Sequence, residues 1–311
     1  MMNFFPSKRL QAGIEISANQ LKSAVVFKKG NIFSVNHLSA IKIPPETVKP
    51  SFKTENIIDE AVFNNNLEKI CKDLNTKRVS LALPDSSVKV LIRKFKELPK
   101  DPREIHDMLS WSISTALHLS ADELRISWEN KGKIADVGHV FLIALGLETV
   151  IAQYEAAMKR VGIVPAALAP AGLNQFNFYA KALSEEGKVA YLGLFDDFVN
   201  IFVFCDGAPV FYKTIKKGVL NENGASAIND MDVLIQFYNS ENPDLEIEKF
   251  YIASHIKSEE MIKQVLPDVN PLGFVLMDEN DLIEIDKKLE VLPENGSLSF
   301  YTTALGAAQG Q

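Results

Sequence analysis

The sequence predicts an α/β protein of two lobes, with a small α+β unit inserted into the first. Three observations carry that expectation. Gly13 to Ile43 reads as strand, polar turn, strand, Gly turn, strand, and the same order returns from Lys188 to Gly218 behind a hinge at Glu185 to Gly187. Helical patterns follow each of these meanders. Between them, Val88 to Gly162 reads as strand, helix, strand, strand, helix, which is long enough for a subdomain.

Each element has its own signal. AGIEIS and KSAVVFKK are apolar or β-branched runs around the turn SANQ, and NIFSVNHLSAIKI continues the alternation past Lys29-Gly30. Pro44, Pro45 and Pro50 stop it. NIIDEAVFNNNLEKICKDL then places Ile57, Ile58, Val62, Leu67, Ile70 and Leu74 at an imperfect helical period. RVSLALP reads as a buried strand closed by Pro84, and VKVLIRKFKEL as an alternating one closed by Pro99. A helix starts at Pro102, where Asp101 can accept from first-turn amides and proline costs no hydrogen bond. LRISWEN and VGHVFLIALG are strands flanking a loop with Gly132. ETVIAQYEAAMKRVG sets Val150, Ile151, Tyr154, Ala157, Met158 and Val161 on one helical face and stops at Gly162. AGLNQFNFYAKAL is a further helix. In the second half, ASAINDMDVLIQFYNSE and SEEMIKQVL read as helices, KFYIAS and GFVLM as strands, and FYTTALGAAQG as a terminal helix of small residues.

Composition narrows the class. With 311 residues, 47% hydrophobic and 23% charged, the chain is globular and sized for about two domains. A net charge of -7 without clustered Lys and Arg argues against nucleic acid. Cys71 and Cys205 are far apart with no Cys or His at ligand spacing, so neither a disulfide nor a zinc site is expected, as suits an intracellular protein. MMNFFPSKRL lacks the apolar core of a signal peptide, and the longest apolar runs, such as VFLIALGL, fall short of the ~20 residues that span a bilayer. No P-loop, GxSxG, HExxH or CxxC motif occurs, so no catalytic residue or metal site is assigned. His106 and His118 are read as structural, and Trp111 and Trp128 as core.

Several stretches together carry a family likeness: FFPSKR before GIEIS, LALPDSSVKVLIRKFKELPKDPREIHDMLSWSIS with its strand, LP, strand, LP and Trp-containing helix, LETVIAQYEAAMKRVGIVPAAL, and the closing TALGAA. With the paired meanders they resemble the actin-like (ribonuclease H-like) fold and, within it, the PilM family of type IV pilus assembly proteins, related to the cytoplasmic part of GspL and more distantly to FtsA. The likeness covers nearly the whole chain. It implies one lobe from residues 1–86, 163–186 and 300–311, an inserted subdomain at 87–162, and a second lobe at 187–299. It also implies a cytoplasmic scaffold that binds the tail of a PilN-like inner-membrane protein, reaching other platform proteins and the assembly ATPase indirectly. Leu83, Pro84, Val88, Val90, Ile92 and Trp111 are the expected walls of a groove for that tail.

The same likeness sets an expectation for nucleotide. In actin-like ATPases the first hairpin carries D-x-G and small hydroxyl residues, because glycine lets amides meet phosphate and the acid positions hydrated Mg²⁺. Here Glu15 keeps a carboxylate, but Ser17 stands at the glycine position and Asn19 replaces a hydroxyl residue. The second hairpin reads Gly193-Leu194-Phe195 followed by Asp196 and Asp197, and the adenosine-side turn is Ser254-His255 without glycine. A degenerate pocket with no cofactor is therefore expected. The alternative is an ATPase that binds ATP with Mg²⁺ through Glu15 and the acidic turn and switches partner binding.

Overall fold

The structure, a computed structural model, describes residues 9–29, 32–134, 138–184, 186–194, 198–216, 235–236, 238–240, 242–243, 246–254, 273–286 and 297–310. Strand β1 (Arg9–Ile16) pairs antiparallel with β2 (Gln20–Lys29), which pairs antiparallel with β3 (Ile32–Lys42). On the other side of β1, β4 (Arg78–Leu83) and then β8 (Val164–Pro170) add in parallel. The sheet order is β3-β2-β1-β4-β8, with the two-residue β14 (Glu284–Ile285) along β3. The second half repeats this order in β11-β10-β9-β12-β13: β9 (Lys188–Leu194), β10 (Phe198–Cys205) and β11 (Ala208–Lys216) form the meander, and β12 (Lys249–Ser254) and β13 (Phe274–Leu276) add in parallel. The sequence repeat is a repeat of topology.

Two compact units divide the chain. The first joins Met1–Val88, Thr149–Ala182 and Asp278–Gln311; the second joins Lys89–Glu148 and Leu183–Met277. These bounds differ from the sequence boundaries at three places, the first being that Lys89–Glu148, expected as an insertion in the first lobe, groups with the second half. Helix α3 (Glu148–Arg160), placed in the inserted subdomain from sequence, belongs from Thr149 onward to the first unit. Its buried Tyr154 and its Gln153 both bond to Asn56. The segment from Asp278, assigned by sequence to the second lobe, also belongs to the first unit, where β14 pairs with β3 and buried Glu279 accepts from Tyr179.

Asn56 explains why the long segment between β3 and α1 (Glu60–Cys71) holds a fixed path. It is wholly buried, and its amide donates to the carbonyls of Ser51 and Thr54 at 2.7 Å each. Its Oδ1 accepts from Ser51 N at 3.2 Å, Tyr154 OH at 3.0 Å and Ser87 Oγ. A buried amide is tolerated because its donors and acceptors are matched. Ile57, expected in the helix, instead bridges Val48, and α1 begins two residues after Ile58 because Asp59 caps it by accepting from Val62 N at 3.0 Å. Phe63, Leu67 and Ile70 are the buried face of α1.

The terminal helix α5 (Thr302–Gln309) lies on β1 and against α4 (Ala171–Tyr179), and glycine permits both contacts. A Cβ on Gly13 would lie 2.1 Å from Ala304 O, and one on Gly306 would lie 1.7 Å from Asn174 O. Gly13 therefore serves helix packing.

In the second unit, β5 (Lys89–Phe95), β6 (Leu124–Ile134) and β7 (Gly138–Leu147) form an antiparallel sheet in the order β5-β7-β6. Phe95, Phe141 and Trp128 stack edge to face across its three strands, with centroids at 5.9 and 5.6 Å. Trp128 Nε1 also donates to His106 Nδ1 of α2 (Pro102–Leu117) at 3.3 Å. Trp111 departs from the core role expected of it: α2 buries Leu109 and Ile113, and Trp111, two residues past Leu109, falls on the opposite face with 71% of its surface exposed. Ala190, Leu192, Ile201, Val203, Phe250 and Ile252 form the core of the repeated sheet in this unit, and Ile134 of the small sheet packs on that core. The helices expected at ASAINDMDVLIQFYNSE and SEEMIKQVL lie largely or wholly outside the described residues.

Both thiols are chemically quiet. Burial pushes Cys71 up to about 12, and Cys205 is raised by burial and then by the neighbouring Asp206 carboxylate. Burial thus disfavours the thiolate, which is the nucleophile. Neither cysteine of the folded protein is expected to react with Ellman's reagent within minutes at pH 8. Stoichiometric release of thionitrobenzoate before denaturant is added would contradict this.

Candidate functional site

The hairpin between β1 and β2 is closed by its own atoms. Ser17 N donates to Gln20 O at 3.0 Å, and Gln20 N donates back to Ser17 Oγ at 3.2 Å. Ser17 Oγ in turn lies 3.0 Å from Gln20 O and 3.2 Å from Asn19 Oδ1, and Asn19 O accepts from Ile43 N at 2.8 Å just past β3. Ser17 and Asn19 thus stabilise a turn, as short polar side chains do.

Glu15 sits one residue before the end of β1, and the hairpin register sets it directly across from Lys22. Lys22 Nζ is 3.3 Å from Glu15 Oε1, with 6% of the lysine side chain and 9% of the glutamate side chain exposed. The ammonium also lies 4.1 Å from the centroid of the Phe300 ring, in the turn that leads into α5. Side chains alternate along a strand, so Glu15 shares the face of Gly13 that α5 covers. Carboxylate, ammonium and ring form one enclosed cluster.

That cluster decides whether the hairpin suits Mg²⁺. A carboxylate serves a hydrated divalent ion when its charge is available; here it is balanced by a protein cation, and the aromatic face supports the same cation. Removing the ammonium to admit a metal would strand a charge in a low-dielectric setting. Glu15, paired in this way, does not fit the metal. Among the described residues, no group of three His, Cys, Asp or Glu could hold one elsewhere.

The strands of the second hairpin pair in the same register around a different pair of residues. Ile16 and Leu21 close the first loop around residues 17–20, and Leu194 and Val199 close the second around residues 195–198. The next pair inward is Glu15 with Lys22 in the first hairpin and Gly193 with Asn200 in the second. Gly193 offers no carboxylate, and Asn200 is buried with an Oδ1 that has no hydrogen-bond partner. Gly193 also adjoins Ala253 of β12, and Ser254 ends that strand, 3% exposed. Phe195, Asp196, Asp197 and His255 lie outside the described residues.

The six expected groove residues separate by burial. Leu83, Pro84 and Val88 are buried in the first unit, because β4 is an inner strand flanked by β1 and β8. In the second unit, Val90 and Ile92 are half-buried on β5, and Trp111 is the exposed one. Lys22, Phe300, Asn56 and Asn200 escaped the sequence reading. Lys22 had a signal, since a four-residue loop such as SANQ puts a residue one before the closing pair across from the residue seven later.

The duplicated strand order with inserted small sheet is an actin-like fold. A solved PilM–PilN type IV pilus biogenesis complex matches with a TM-score of 0.73 at 16% identity, over 96% of this chain and 98% of that one. The cytoplasmic domain of EpsL, an inner-membrane component of the type II secretion system of Vibrio cholerae, matches with a TM-score of 0.52 at 9% identity, over 97% of this chain and 96% of that one. No protein-family model matches the sequence, and no curated protein matches it significantly. Among the described residues, no helix is long and apolar enough to cross a membrane.

Proposed function

We propose that this chain is a PilM-like scaffold of a type IV pilus or type II secretion assembly platform, held at the cytoplasmic face of the inner membrane by the tail of a PilN-like partner. The observation that carries this reading is the fold match to a complex containing such a partner, end to end in both chains. The closed turn at Ser17 and the Glu15–Lys22 pair support a scaffold without ATP turnover. The chain acts by binding: it joins the membrane protein to other platform components and, through them, to the assembly ATPase.

Trp111 is the best anchor for the tail among the expected residues. A large exposed aromatic on a helix whose other face is fixed by Leu109 and Ile113 offers area at little entropic cost. Trp111→Ala is expected to change stability by less than about 0.5 kcal/mol, as surface substitutions do. It should weaken the tail by about 2 kcal/mol, roughly 30-fold. Fluorescence anisotropy with a labelled N-terminal peptide of a PilN-like protein measures it. Equal affinity for both proteins removes Trp111 from the interface, and no binding by the wild type removes the platform assignment.

A further inference from the structure

Cations that are scattered in the sequence are gathered by strand pairing at one end of the first unit's sheet. It is the end at which the parallel strands β1, β4 and β8 begin. The register crosses it in order: Ile32 pairs with Lys29 and Phe33 with Lys28, Lys28 pairs with Arg9, and Arg78 pairs with Val164. Lys77 immediately precedes β4. At about 4.8 Å per strand, the strands from β3 to β8 set these residues in a row about 20 Å long.

The cations of this row are not committed to carboxylates. Lys28, Lys77, Arg78 and Lys181 are exposed, and none of them enters an ion pair among the described residues. Two of them are held by a ring instead: the ammonium groups of Lys28 and Lys181 lie 5.3 and 5.4 Å from the centroid of Phe33. Arg9, Lys28, Lys29, Lys77, Arg78 and Lys181 stand against Asp73 in the segment before β4 and Glu284 and Asp286 beside β3. Cations are therefore in excess here, in a chain whose net charge is -7.

Exposed apolar side chains occupy the same row. Ile32 has 53% of its surface exposed and Val164 has 76%, more than Trp111. The mixture discriminates between occupants. A purely acidic polymer would answer the cations and leave Ile32 and Val164 in water, whereas the headgroup layer of a bilayer takes both, phosphate against the cations and the acyl boundary against the apolar groups. We infer that this end of the first unit is a docking surface for an anionic phospholipid bilayer. The strands stand end-on to the membrane. The inference is independent of the platform assignment, because the bilayer is the ligand and no PilN-like sequence is involved.

The test is co-sedimentation of the full chain with vesicles of equal parts phosphatidylglycerol and phosphatidylcholine at physiological salt. Binding is expected to these vesicles and not to phosphatidylcholine alone. Lys77→Gln/Arg78→Gln should weaken it roughly 25-fold, about fivefold for each cation near the surface. Ile32→Thr/Val164→Thr, which keeps β-branched residues at both strand ends, should weaken it at least about threefold. Arg103→Gln/Lys133→Gln, which removes exposed cations of the second unit, should bind as the wild type does. Circular dichroism checks that each variant is folded. No binding by the wild type, or an equal loss in the second-unit variant, would overturn the proposal. Full binding by the threonine variant together with displacement by poly-glutamate would also overturn it, and would assign the row to acidic polymers.

Discussion

Lys22→Met is expected to destabilise the protein by about 3–5 kcal/mol, the cost of leaving one member of a buried ion pair uncompensated. Methionine keeps much of the lysine stem against Phe300 but removes the charge from beside Glu15, whose side chain is 9% exposed. The double variant Glu15→Met/Lys22→Met should recover most of the loss, because a buried pair replaced by apolar groups of similar volume is often neutral. Urea denaturation at pH 7 measures both. If the single variant unfolds within about 1 kcal/mol of wild type, the value typical of a solvated pair, the enclosed cluster is disproved.

Gly306→Ala has an effect of the same order through packing alone. The added Cβ would lie 1.7 Å from Asn174 O and 3.3 Å from Phe178 N, both backbone atoms of α4. Asn174 cannot yield readily, since its side chain donates to the carbonyls of Ala169 and Pro170 at the start of that helix. On the other side α5 rests on β1, where Gly13 is equally tight against Ala304 O. Separating the helices would open the core, so a loss of at least ~3 kcal/mol is expected, the upper end for overpacking. Gly310→Ala is the control: its nearest contact is at 3.5 Å, and it should stay within about 0.5 kcal/mol of wild type. Thermal denaturation of the three proteins decides the matter; similar melting points for Gly306→Ala and wild type would contradict the close seam.

The repeat was legible because its signals are local. Alternation marks each strand, and Asp206-Gly207 takes successive positive φ values of 47° and 76°, which such a pair supplies in a tight hairpin. Strand β8 was not legible: Val164 to Pro170 is rich in alanine and proline, has no alternation, and becomes a strand only by pairing with β4 at the sheet edge. The apolar face of α3 was plain from its period, yet periodicity does not say which unit a face will cover; the bonds of Gln153 and Tyr154 to Asn56 show that. The candidate site divides in the same way. Ser17 and its turn could be read directly, whereas the pairing of Glu15 with Lys22 needed the hairpin register and a ring from residue 300. Trp111 could have been separated from Leu109 and Ile113 by helical angle alone.

We propose that the first hairpin, with its carboxylate already balanced by Lys22, does not take a magnesium nucleotide. Isothermal titration of the wild-type protein with ATP and Mg²⁺, paired with thermal melting at millimolar ATP, tests it most directly, because a ligand held only by the folded state must raise the melting point once it exceeds its Kd. No heat and no shift is the predicted result. Micromolar binding would contradict the account and make this chain a nucleotide-switched member of its fold.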